Sequence, residues 1–172
     1  MEQNLPTNPN QTFYENTTYK NDRQKKQSLT IQIPTSGDYQ NIELNEPLRL
    51  DSLTDIYLDS VITGKSCAAY DNDKNIYVLK INEFRIKSNS GTISGKQPSR
   101  NKLFNSIIIP NTRADPDITT THRINKFNFI STLNPTILTS LNVQFGLCPD
   151  DGDAIAEAGG IAWITFMFVS HD

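Results

Sequence analysis

Few side chains in this sequence could do chemistry, and they are scattered. His122 opens an extended stretch among Thr and Arg, and His171 stands in a stretch expected to fray, so each reads as a structural or surface imidazole rather than a general base. Cys67 and Cys148 have no partner thiol two residues away, which argues against a zinc knuckle or a disulfide framework; both read as packing residues in a reducing compartment. Calcium takes several oxygens from one flexible loop, which makes Asp150, Asp151, Asp153 and Glu157 in "PDDGDAIAE" the best-formed acidic cluster. Too few residues separate Gly152 from Glu157 for an EF-hand loop. That cluster therefore reads as a solvated turn, as do Asp71 with Asp73 in "YDNDKN" and Asp115 with Asp117 in "RADPD". "GTISGKQ" lacks one residue between the glycines of a phosphate loop, and Gln97 stands where a magnesium-holding Ser or Thr is needed. In "HRINKFNF" Arg123 and Lys126 alternate with Phe127 and Phe129, which places both rings together on a core face rather than on a nucleic-acid-stacking one. No catalytic residue, cofactor or metal is expected, and a structural or binding protein is favoured over an enzyme.

Composition narrows the class further. With 172 residues, 36% hydrophobic and 20% charged, the chain suits one domain with a real core. A formal charge of -3 supplies no general attraction to nucleic acid or to an anionic membrane. The chain shows neither a classical signal peptide nor an apolar window long enough to span a membrane. Residues 1–27 hold five Asn, four Gln and four Thr but almost no aliphatic side chain, too little apolar surface to offset the entropy of ordering. They read as a flexible polar arm before a single domain at 28–172. The arm ends in the one dense basic cluster, Lys20, Arg23, Lys25 and Lys26, which reads as a solvated tail or, alternatively, as a contact for a membrane or neighbouring proteins.

From Ser28 onward the hydrophobic period is two, the signature of pleated strands with one buried face. "SLTIQIP", "NIELNEPLRL" and "LTDIYLDSVIT" predict three strands, the last with Ile56, Leu58 and Val61 inward. "NIYVLKINEFRIKSNSG" is the longest candidate; Tyr77, Leu79 and Ile81 share a face while Phe84 and Ile86 fall on the other, so a bulge or a crossing between sheets is expected near Asn82-Glu83. "LFNSIIIPN" is short and ends at Pro110. "HRINKFNFISTLNPTILTSLNVQFGL" predicts a hairpin turning at Asn134-Pro135-Thr136. The final strand, Ile161 to Val169, is apolar on both faces, with Trp163 and Met167 on one side and Ile164, Phe166 and Phe168 on the other; Trp163, Ile164, Phe166 and Phe168 are its expected core residues. No sustained helical period interrupts the series, and one helical turn at "DGDAIAEAGG" is the exception. The fold class expected is all-β, a single eight-stranded antiparallel jelly-roll sandwich.

Taken in order, "NIYVLKINEFRIKSNSG", "NSIIIPN", "NKFNFISTLNPTILTSLNVQFG" and "ITFMFV" resemble the single jelly-roll penton, or vertex, capsid proteins of large nucleocytoplasmic DNA viruses and their virophages. The resemblance covers most of residues 28–169. It implies a structural subunit of the virion, assembled in the infected host cell cytoplasm, that forms a homopentamer at each icosahedral vertex. Its implied partners are the major capsid protein, minor capsid proteins and, through the arm, an internal membrane, with no specific nucleic acid. Short loops leave no room for an inserted receptor-binding domain, so no host-attachment role is implied. The alternative class is a ligand-binding jelly roll, lectin-like or a tumour-necrosis-factor-like trimer. A cupin-like metalloenzyme ranks last, because such sites need several histidines and a carboxylate.

Overall fold

The computed structural model of the chain describes residues 25–69, 76–87, 105–115, 117–122, 129–148, 155–156 and 158–171. Every regular element among them is a β-strand: β1 Lys26–Pro34, β2 Gln40–Leu50, β3 Thr54–Thr63, β4 Ile76–Ile81, β5 Ile107–Pro110, β6 Thr120–His122, β7 Phe129–Leu133, β8 Thr136–Cys148 and β9 Ile161–Ser170. All pairings are antiparallel and make two sheets. One runs β1-β9-β3, with β6 and β7 both on the far side of β3, and the other runs β2-β8-β4-β5. The pairs are nested, β4 with β5, β3 with β6 and β7, β2 with β8, and β1 with β9, and successive shells of the nest alternate between the sheets. Side chains of period two then meet across the sandwich. Ile31, Ile56, Leu58, Val61, Ile164, Phe166 and Phe168 of the first sheet and Tyr77, Leu79, Leu141, Val143 and Phe145 of the second are fully buried together.

Nine strands stand among the described residues where eight were expected: at the stretch opening at His122, β6 runs to His122 and β7 begins at Phe129, each on β3. Phe127 lies outside the described residues. Phe129 is not core: it is 51% exposed and stands edge-on to Tyr57, with ring centroids 5.7 Å apart. A register shift in β7 opposite Ile56/Tyr57 turns it outward. The hairpin expected at Asn134-Pro135-Thr136 is also absent, since β7 belongs to one sheet and β8 to the other. Tight two-residue hairpins need residues with positive φ. None of these three has it, and a residue preceding proline is driven to extended backbone, so the chain runs on across the gap.

The register change in the longest candidate is a turn rather than a bulge. β4 stops at Ile81, and residues 82–85 close with the Arg85 amide donating to Asn82 O at 3.3 Å, with Arg85 at φ +49. The turn inserts Phe84 between the sheets, edge-on to Phe166 and Phe168 at 5.0 and 5.8 Å. A bulge at Asp59 is what lets Val61 join Ile56 and Leu58 on the inner face despite the odd spacing, since Leu58 pairs with Phe166 and Ser60 with Thr165. β1 starts earlier than expected: Lys26 pairs with Val169 and Gln27 with Phe168, so these two residues belong to the sheet rather than to the arm. The chain enters β9 through Gly159 and Gly160, at φ +70 and +64, a backbone that residues with Cβ rarely adopt. The Thr35 hydroxyl fastens that turn, donating to Gly159 O at 2.6 Å and accepting from the Ala158 amide at 3.1 Å.

Candidate functional site

Titratable side chains converge at one end of the sandwich, where β3, β4, β6 and the segment after β5 meet. His122 is 2% exposed, and its Nε2 lies 2.8 Å from Thr63 Oγ1. Its Nδ1 lies 3.2 Å from Pro110 O and 3.3 Å from Thr112 Oγ1. Arg113, fully buried, donates from Nη1 to Thr63 O at 3.2 Å and to Thr63 Oγ1 at 3.1 Å. The Tyr77 ring stacks on Phe145 and meets His122 edge-on, both at 5.1 Å, and its hydroxyl donates to Ala68 O at 3.3 Å. Asn111 donates from Nδ2 to the same carbonyl at 3.4 Å and accepts the Arg113 amide at 3.1 Å. Cys67 completes the cluster, its thiol directed to Ile161 O at 3.6 Å.

Burial sets the charge state of these groups. It pushes the Cys67 thiol up, pushes the Tyr77 phenol up to about 12, and holds the His122 imidazole below its ordinary value, the last with help from the neighbouring Arg113 charge. At neutral pH thiol, phenol and imidazole are therefore uncharged. A nucleophilic cysteine needs the thiolate and a general base near 7 needs access to substrate, and this cluster supplies neither. What it does supply is a polar clamp in which Arg113, Thr63, His122 and Tyr77 tie β3 and β6 of one sheet to β4 and the 111–113 segment of the other.

No family model, curated protein or solved structure gives a significant match to this chain.

The remaining groups singled out in the sequence are dispersed. Asp115 and Asp117 form a local turn, the Asp115 carboxylate accepting the Asp117 amide at 2.8 Å. Asp71, Asp73, Asp150, Asp151, Asp153, Glu157 and the "GTISGKQ" stretch lie outside the described residues. Among the described residues, no three of His, Cys, Asp and Glu stand together as metal ligands. His171 is pinned rather than frayed: its Nε2 lies 2.8 Å from Asp55 Oδ2, and its amide donates to Leu53 O at 2.7 Å. β9 runs to Ser170, whose amide and hydroxyl both donate to Lys25 O. Lys25 and Lys26 are exposed at this opposite end of the sandwich, and Lys20 and Arg23 lie outside the described residues.

In β9, Ile164, Phe166 and Phe168 are buried inside the sandwich, whereas Trp163 is half-buried on the outer face with Thr165 and Met167. Trp163 is thus not a core residue; its ring lies over Gly64, where a Cβ would sit 3.0 Å from it. Arg113, Thr63, Tyr77 and Asn111 were missed as a group by sequence reasoning. Their spacing is non-local, and "NTRADPD" reads locally as an exposed acidic loop.

The clamp makes stability pH-dependent. A folded imidazole held below its ordinary value of about 6.5 means that the unfolded chain binds its proton first, so stability is full above that pH and falls as pH drops through it. Urea unfolding at stepped pH is expected to show a midpoint that declines below about pH 6.5. A His122→Gln variant should be less stable at pH 7.5 but should lose the portion of the decline that His122 causes.

Proposed function

We propose that this chain is a non-enzymatic capsid subunit: a single jelly roll whose homopentamer fills the fivefold vertex of an icosahedral double-stranded DNA virus particle. The observation that carries the reading is the nested strand pairing. A jelly roll is a long antiparallel hairpin rolled so that its shells alternate between two sheets, and counting β6 and β7 as one interrupted strand leaves the eight strands it requires. The resemblance of the strand series to vertex proteins supplies the function, and the buried clamp, whose polar groups face inward, agrees with a building role. A fivefold ring uses a heterologous interface, one flank of each subunit against the other flank of the next, closing after five. In such a particle the subunit would meet major and minor capsid proteins, with residues 1–24 and the Lys25/Lys26 end turned toward an internal membrane.

Native mass spectrometry and light scattering of the full chain over a wide concentration range test this. Five copies per particle are expected. A trimer would transfer the assignment to the ligand-binding jelly rolls, and a strict monomer at the highest concentration that also failed to enter particles would remove the vertex assignment.

A further inference from the structure

The two sheets have four lateral edges, and three are protected against pairing with another chain. β5 is four residues long and ends in Pro110, and the described strands beyond β3 are short, β6 of three residues and β7 of five. β2 is bulged: Glu43 pairs with Ser140 and Leu48 with Leu138, so Leu44 to Pro47 stand opposite Thr139 alone. That bulge carries Glu46 and Pro47, the charge and proline that natural sheets use to blunt an edge. β1 carries such residues only at its two ends, Lys26 and Pro34. It is nine residues long, pairs with β9 over its whole length, and from Gln27 to Ile33 contains no charge, glycine or proline.

β1 also borders a groove of about 570 Å³ that lies between it and the bulge of β2. Leu29 and Ile31 on one side and Ile42, Leu44 and Leu48 on the other give it an apolar floor. Glu43 and Glu46 are its only charged lining groups, and neither has an ion-pair partner among the described residues. An open strand edge, alternate apolar positions and two uncompensated carboxylates together define a ligand chemistry.

We propose that this groove takes an extended, basic segment of another protein chain, added as a strand on β1. Charge decides among the occupants. A second copy's β1 brings its cations, Lys25 and Lys26, at one end only and none between Gln27 and Ile33. Residues 1–24 carry Lys20 and Arg23 against Glu2, Glu15 and Asp22, a net charge of 2 - 3 = -1, the wrong sign for this groove. A foreign strand with lysine or arginine at alternate positions satisfies both the edge and the carboxylates. The inference does not rest on the vertex reading.

The test uses the full chain and two fluorescent nine-residue peptides, one alternating lysine with valine and one alternating glutamate with valine. The lysine peptide is expected to bind more tightly by about tenfold, the size that two exposed ion pairs supply, and to slow amide hydrogen exchange along residues 27–33. Glu43 and Glu46 are exposed, so a Glu43→Lys, Glu46→Lys double variant keeps the fold, and the order of the two peptides should reverse in it. Equal binding of the peptides, no reversal, or exchange in β1 unchanged by peptide overturns the proposal. So does protection, without peptide, of the β1 amides that face away from β9: growing with protein concentration it would identify a second copy as occupant, and independent of concentration it would identify residues 1–24.

Discussion

Phe166→Asp is expected to abolish folding of the isolated chain, not merely its assembly. Phe166 is fully buried between the sheets, pairs with Leu29 on one side and Leu58 on the other, and meets the Phe84 ring edge-on at 5.0 Å. Truncating a buried phenylalanine to alanine costs about 3–5 kcal/mol, and an aspartate at the same place adds the cost of burying a carboxylate with no partner. Against a typical total of about 5–15 kcal/mol for a domain, the charged variant has no folded state to populate at neutral pH. Circular dichroism and one-dimensional proton NMR should show an unfolded chain for Phe166→Asp and a folded one with a lowered melting temperature for Phe166→Ala. Met167→Lys, one residue along on the half-buried outer face, should remain folded. A folded Phe166→Asp monomer that fails only to assemble would place the cover of this strand on another subunit instead of on Phe84 and the facing sheet.

Tyr77→Ala is expected to cost a comparable amount, and its conservative partner Tyr77→Phe to separate the ring from the hydroxyl. The ring is fully buried, stacked on Phe145 and edge-on to His122, so the alanine variant empties the junction of core and clamp at about 3–5 kcal/mol. Phenylalanine keeps the ring and deletes the hydrogen bond to Ala68 O, a loss of about 1 kcal/mol. The hydroxyl also marks the alkaline side of the stability profile. Its pKa is pushed up to about 12 by burial, so the unfolded chain loses this proton first and stability falls as pH rises from about 10 towards 12. Denaturant titrations of Tyr77→Phe should lack that part of the alkaline decline. A Tyr77→Ala midpoint equal to that of Tyr77→Phe would mean that the stacked ring contributes nothing.

Both predictions fall on residues whose burial the local pattern foretold, Phe166 and Tyr77, but pattern and final position parted elsewhere. The alternation of Ile31 and Ile33, of Tyr77, Leu79 and Ile81, and of Leu141, Val143 and Phe145 is legible one strand at a time, and each of these residues is buried. Phe129 has the same apparent alternation and is exposed, because a one-residue register shift against β3 moves a side chain to the other face. Asn134-Pro135-Thr136 reads as a turn, but a turn signal does not say whether the strands it separates pair with each other or lie in facing sheets. The clamp was least legible. Thr63, Tyr77, Arg113 and His122 come from four separate segments, and only the nested pairing brings them to one end.

By itself the sequence determined that this protein is built of β-strands and, for most of them, which residues alternate inward, because period, β-branching and proline placement act over a few residues. Tertiary structure alone decided which strands are partners, that Phe84 covers Phe166 and Phe168, that only the inner face of β9 is core, that Arg113 is buried in a polar clamp, and that β1 is the longest unbulged edge among the described residues. Those outcomes depend on contacts between segments far apart in the chain. Hydrogen bonding between strand edges is set by backbone groups common to all residues, and it leaves no mark in any one segment.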